Sequence, residues 1–141
     1  MSRSTIVIEA PMSQVSEVLF DLEKYPDWSD SITKVKVTER DEGGRVTGAT
    51  LTIAAGAVKD EVSLSYNWDG APGRLEFELE DANMLTKMDG AYILKDLGDE
   101  TEVTYELSVG VSMPIPQMMV TKQEKTTVDQ ALAQLKEHCE G

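Results

Sequence analysis

The chain has 141 residues, with 13 Lys plus Arg against 26 Asp plus Glu and a formal charge of −13. That length makes one domain able to bury a real core. The charge repels nucleic-acid phosphates and anionic headgroups, so no nucleic-acid partner and no stable membrane association are expected.

Cys139 is the only cysteine, which excludes an internal disulfide and fits a reducing compartment. The N-terminus runs straight into a strand-like stretch, without a secretory leader or an apolar run of bilayer length, and a cytoplasmic protein is expected. Thr5-Ile6-Val7-Ile8-Glu9 is rich in β-branched residues and predicts a first strand. Ala10-Pro11 ends it. Val15, Val18, Leu19 and Leu22 then recur at i, i+3, i+4 and i+7, predicting an amphipathic helix over Met12 to Glu23 that Pro26 stops. Tyr25-Pro26-Asp27-Trp28 predicts a tight aromatic turn acting as a lid or plug over one end of the core.

From Ser31 the period changes to two. Ile32 to Thr38 predicts a strand, and Asp41-Glu42-Gly43-Gly44 a hairpin turn. Thr47 to Ala55 puts Ala49, Leu51, Ile53 and Ala55 on one face. In the next strand Val62, Leu64, Tyr66 and Trp68 alternate with Glu61, Ser63, Ser65 and Asn67. After Asp69-Gly70-Ala71-Pro72-Gly73, Leu75, Phe77 and Leu79 alternate with charged residues. Met84 to Leu97 carries Met84, Thr86, Met88, Gly90, Tyr92 and Leu94 in one phase, less strictly. Val103, Tyr105, Leu107, Val109, Val111 and Met113 form the last apolar series.

A long final helix is predicted over Gln117 to Cys139. Val128, Ala131, Leu132, Leu135 and Cys139 make a buried face with the spacing of one helical stripe. Its front half keeps only Met118, Met119 and Val120 as apolar residues, and is expected to line something less tightly packed. Half-buried strands joined by short turns form antiparallel sheets. The fold class expected is α+β: a curved seven-stranded antiparallel sheet wrapped around a long C-terminal helix.

Several stretches carry a family resemblance. Ile8-Glu9-Ala10-Pro11 with the Val15/Val18/Leu19/Leu22 helix, Tyr25-Pro26-Asp27-Trp28, and Tyr66-Asn67-Trp68 before a Pro-Gly turn are three of them. Asp89-Gly90-Ala91-Tyr92, Gly98 to Tyr105, and Pro114-Ile115-Pro116 before the last helix complete the set. In this order they resemble the START-like (SRPBCC) superfamily, in its polyketide cyclase/dehydrase and coenzyme-Q-binding-like branch, from about Arg3 to Glu140. The resemblance implies a helix-grip fold with an apolar cavity between sheet and helix. It does not fix function, because the superfamily spans carriers, hormone binders and aromatases.

If the apolar phase of each strand faces that helix, the ligand-binding candidates are Tyr66, Trp68, Phe77, Met84, Met88, Tyr92, Tyr105 and Met113. Trp28 joins them from the plug, and Met118, Thr121, Lys122 and Lys125 from the front of the helix. Apolar walls with a few polar groups describe a small-molecule pocket. No catalytic residue is assigned, since the inward phase of the clean strands lacks Asp, Glu, His, Arg and Lys, and proton abstraction needs a positioned base. Adjacent His138 and Cys139 do not face each other on a helix and lack a zinc-site pattern, so neither a metal nor another cofactor is expected.

Met113 to Met119 forms either a lip over a cavity mouth or a packed corner. Three functions remain open at this point. The first is a binder or carrier of a hydrophobic small molecule (lipid, quinone or polyketide-like aromatic), the second a cyclase or dehydratase for a poly-β-keto substrate, and the third an acidic protein-interaction module without an open cavity. The oligomeric state is not specified by any of these residues.

Overall fold

The architecture comes from a computed structural model that describes residues 1–56 and 58–141. Strand β1 (Ser2–Ile8) leads into helix α1 (Met12–Phe20) and a 3₁₀ turn (Leu22–Asp27). Six strands follow: β2 (Ile32–Arg40), β3 (Val46–Ala55), β4 (Val58–Asn67), β5 (Arg74–Asp81), β6 (Leu85–Asp96) and β7 (Thr101–Val111). Helix α2 (Gln117–Glu140) closes the chain.

The sheet order is β1-β7-β6-β5-β4-β3-β2, and the paired strands are antiparallel throughout. Chain neighbours are sheet neighbours except β1, which α1 and the 3₁₀ turn carry across to the opposite edge. The concave face is apolar, with Leu51, Val62, Leu64, Leu75, Val103 and Leu107 among its buried residues. The convex face is wet. It carries the Thr50–Ser63 hydroxyl pair at 3.1 Å and the Arg74–Glu76 ion pair at 2.6 Å.

Helix α2 lies against β1 and β7 along the concave side, which is the helix-grip arrangement expected from the sequence. Its buried stripe is Val120, Glu124, Val128, Ala131, Leu132, Leu135 and Cys139. The spacing of four, four, three, one, three and four keeps these residues on one side of a 3.6-residue helix. His138 is exposed, and the Cys139 carbonyl accepts a hydrogen bond from Gln14 Nε2 at 2.9 Å, tying α2 to α1. Among the described residues no helix is long and apolar enough to cross a membrane.

Two local departures from the sequence pattern matter for the site. Helix α1 stops at Phe20, not Glu23, and the chain tightens into the 3₁₀ turn. Leu22 and Tyr25 are both buried, and a 3₁₀ turn stacks residues three apart on one side. Tyr25 Oη donates to Leu19 O at 2.7 Å, satisfying a carbonyl that the helix end leaves open.

The second departure is a β-bulge in β6. Leu85 pairs with Val111 and Lys87 with Gly110, so Thr86 is the extra residue. The bulge reverses the alternation, and Leu85 takes the inward place that the sequence pattern gives to Met84. The turn ahead of it is clamped by Asp60. Asp60 Oδ2 accepts from the Met84 and Leu85 N–H groups at 2.8 and 3.0 Å, and Oδ1 from Glu61 and Asn83 at 2.8 and 3.2 Å. Burial pushes this carboxyl up, but the four backbone donors outweigh burial and hold it below the ordinary aspartate value.

Candidate functional site

Below its middle, α2 packs tightly, with Val128 and Leu135 fully buried. Its first turns instead stand over a cavity of about 170 Å³. Ile53, Val58, Leu85, Leu107, Val109 and Val111 form the sheet side of the wall. Val120, Gln123, Glu124 and Thr127 form the helix side, and Ile115 and Met119 the lip. The spacing explains the difference: Val120, Glu124 and Thr127 put one short apolar residue and two polar ones where the lower turns put Leu132 and Leu135. Just past β3, Gly56 adopts φ +62°, and the amide of the wall residue Gln123 occupies the space a β-carbon there would need. An apolar cavity near 150 Å³ is known to stay dry and admit benzene, so a chamber of this size suits a small apolar ligand or part of a larger one.

Among the described wall residues Glu124 is the one charged side chain, and it is 5% exposed. Its Oε1 accepts from Ser2 Oγ at 2.7 Å and lies 3.3 Å from the Met1 amino group. Its Oε2 accepts from the Val109 N–H at 2.8 Å. The carboxylate thus bolts α2 to both β1 and β7 directly beneath the cavity.

A second, smaller chamber of about 30 Å³ lies deeper, with Leu51, Leu64, Leu75 and Phe77 in its wall. Four tyrosines complete it: Tyr25, Tyr66, Tyr92 and Tyr105. Tyr92 and Tyr105 face each other across the β6–β7 ladder with rings stacked at 4.1 Å. Burial raises all four phenols well above the usual tyrosine value, and neighbouring phenol oxygens push Tyr25, Tyr66 and Tyr92 up further. Near neutral pH they are therefore neutral hydrogen-bond donors, not bases. Met88 is the described residue common to the walls of both chambers.

The sequence-predicted residues divide by location. Met88 lines both chambers, and Tyr66, Phe77, Tyr92 and Tyr105 line the deeper one. Trp28 is buried beside Tyr25 at 4.9 Å in the plug, and its Nε1 has no partner among the described residues. Trp68 is buried at the α1 end. Its Nε1 donates to Val46 O at 2.7 Å, Phe20 meets its ring edge-on, and the Arg45 guanidinium sits over its face. Neither tryptophan borders the two chambers.

Met84 falls outside them because of the β6 bulge, and Met113 because β7 ends at Val111 before the corner. Met118, Thr121 and Lys122 are exposed, Met118 at 83%, because the buried stripe of α2 runs through Val120 and Glu124 instead. Lys125 also points outward and pairs with Asp129 at 3.1 Å. Sequence reasoning missed Glu124, Gln123 and Thr127 as wall residues. Extending the apolar stripe back from Val128 in steps of four would have found Glu124 and Val120. Among the described residues no group of three or more His, Cys, Asp or Glu side chains is placed to hold a metal.

Comparison with known proteins places the whole chain. Residues 2–140 match the sequence family described as polyketide cyclase/dehydrase and lipid transport. A START superfamily protein from Mycobacterium smegmatis superposes with a TM-score of 0.92 at 22% identity, covering 99% of this chain and 96% of that one. The Zhui aromatase/cyclase from Streptomyces sp. R1128 gives 0.84 at 17% identity, covering 99% and 92%. The di-domain aromatase/cyclase StfQ of the steffimycin biosynthetic pathway gives 0.68 at 16%, with 98% of this chain matching 45% of that one. At these identities the likeness is one of fold. No curated protein matches by sequence.

Proposed function

This chain belongs to the polyketide cyclase/dehydrase and lipid transport family, and from that premise we propose that it binds or carries a hydrophobic small molecule between its sheet and α2. Lipids, quinones and polyketide-like aromatics are the ligand classes considered. The observation that carries this reading is the 170 Å³ cavity, walled by side chains that are apolar apart from Gln123, Glu124 and Thr127. A void of that size under a helix costs stability, by roughly 24 cal/mol per Å³ on the cavity scale, and a ligand would recover it. The same void weighs against an interaction module with a sealed core.

A second reading, a cyclase or dehydratase acting on a poly-β-keto substrate, is favoured by Glu124. It is a buried carboxylate in the cavity wall, where acid–base chemistry on a bound carbonyl compound would need one. The test is native mass spectrometry of gently purified protein, followed by solvent extraction and incubation with a poly-β-keto thioester. A discrete co-purifying mass released intact supports the carrier. Turnover of the thioester that Glu124→Gln abolishes supports the enzyme. A clean apo mass with no shift on adding lipids, quinones or aromatic polyketides refutes both.

A further inference from the structure

We infer that the ligand is electrically neutral and is held oxygen-first, with a carbonyl or hydroxyl oxygen carried past Met88 to the tyrosines of the deeper chamber. The inference rests on the binding reading above and narrows it to a substrate class. Three independent features of the two chambers lead to it.

The first is charge. Among the described wall residues of both chambers Glu124 is the only ionisable side chain besides the tyrosines, and no Lys, Arg or His lines either. A carboxylate, sulfate or phosphate group entering here would lose its hydration without gaining a cation, and would face Glu124 at close range. Fatty acids and other anionic amphiphiles are therefore rejected. A cationic ligand gains little, because Glu124 is already paired with the Met1 amino group at 3.3 Å and accepts from Ser2 Oγ and the Val109 N–H.

The second is hydrogen-bonding capacity. The oxygen-bearing side chains of the deeper chamber are its tyrosines. Tyr25 spends its hydroxyl on Leu19 O. Tyr92 and Tyr105 stack ring on ring, and neither hydroxyl makes a hydrogen bond to another described residue. Tyr66 is half-buried, lines this chamber, and makes no side-chain hydrogen bond among the described residues. A volume of 30 Å³ has room for a single water or one terminal ligand oxygen, which a phenol without a protein partner can meet. Neutral phenols donate to a carbonyl or hydroxyl acceptor.

The third is access. Met88 is the wall residue that the two chambers share, and its unbranched thioether has three rotatable bonds with which to swing aside. An apolar body in the outer cavity then projects its oxygen into the inner one.

The test compares four probes of nearly equal size by titration calorimetry: naphthalene, 2-acetylnaphthalene, 2-naphthoate and 2-naphthylmethylamine. The ketone is expected to bind about 5-fold tighter than naphthalene, the scale of one net hydrogen bond. The carboxylate, its near-isostere, is expected to bind at least about 10-fold more weakly than naphthalene, and the amine no better than naphthalene. In the Tyr66→Phe/Tyr105→Phe double variant the ketone should fall to the level of naphthalene, whose own affinity stays unchanged and reports an intact cavity. A ketone preference that survives the double variant, equal binding of ketone and naphthalene in the wild type, or tightest binding of either charged probe overturns the inference while leaving the cavity reading standing. Failure of all four probes to bind overturns the cavity reading itself.

Discussion

Filling the outer cavity should stabilise the protein and weaken binding together. Val109→Phe is the sharpest perturbation, because Val109 projects from β7 into the cavity while its backbone N–H, which holds Glu124, is unaffected. At about 24 cal/mol per Å³, a void of 170 Å³ represents at most about 4 kcal/mol of forgone packing. A phenyl ring occupying about half of it recovers about 2 kcal/mol, less the strain of fitting a larger side chain, leaving a net gain of about 1 kcal/mol. For a chain of this length that raises Tm by about 2–5 °C. A two-ring ligand burying about 200 Å² of apolar surface gains about 5 kcal/mol at 25 cal/mol per Å². Losing half of that contact weakens binding by about 60-fold. Thermal unfolding and calorimetry with 2-acetylnaphthalene read the two effects in one preparation. Leu135→Ala, in the tightly packed lower half of α2, is the control: it should lose about 2–5 kcal/mol of stability with no change in affinity. A Val109→Phe protein that melts lower and binds as well as wild type would refute the cavity as the binding site.

Two further predictions concern the walls. Asp60→Ala leaves the Glu61, Asn83, Met84 and Leu85 N–H groups without their acceptor and should cost about 2–3 kcal/mol in denaturant unfolding. Because its folded-state carboxyl is held below the unfolded value, Asp60 contributes its stability above about pH 4, and that contribution disappears as pH falls through the folded value. The wild type should therefore lose stability in acid more steeply than Asp60→Ala, and parallel acid limbs would contradict the clamp. At Gly90 a β-carbon would stand 2.6 Å from both Phe77 Cζ and the Glu106 carbonyl oxygen. Gly90→Ala should then destabilise by about 1–3 kcal/mol and shift the Phe77 ring, visible as a changed aromatic near-UV circular dichroism spectrum.

The sheet was legible because period-two alternation survives wherever one face is wet. Val62, Leu64 and Tyr66 in β4, and Tyr105 and Leu107 in β7, needed nothing else to be placed on the concave side. The same rule misplaced Met84, since a one-residue bulge at Thr86 inverts the phase and leaves no mark in the residue types. Helix α2 was legible at its C-terminal half, where Leu132 and Leu135 announce the buried stripe. Its N-terminal half was not: with three consecutive apolar residues at Met118, Met119 and Val120, hydrophobicity alone does not say which faces inward, and two of the three are exposed. Charged residues are normally assigned to solvent, and that habit is what hid Glu124.

The position of Glu124 also bears on the choice between carrier and enzyme. A general base must keep a lone pair free toward the proton it removes, within about 3 Å of it. Glu124 Oε1 already accepts from Ser2 on β1 and lies 3.3 Å from the Met1 amino group, and Oε2 accepts from the Val109 N–H on β7. One lone-pair direction is left on Oε2, and these bonds hold α2 in place over the sheet. Using the carboxylate as a base would therefore weaken the bolt that shapes the cavity. The tyrosines are no better suited to proton abstraction, because burial keeps them protonated. What the site offers in quantity is apolar area, walls whose described residues include no Lys, Arg or His to meet an anion, and neutral donors at the far end. Those are the components of selective uptake of a neutral, oxygen-bearing hydrophobe, and they favour the binder over the cyclase on the chemistry of this chain's own residues.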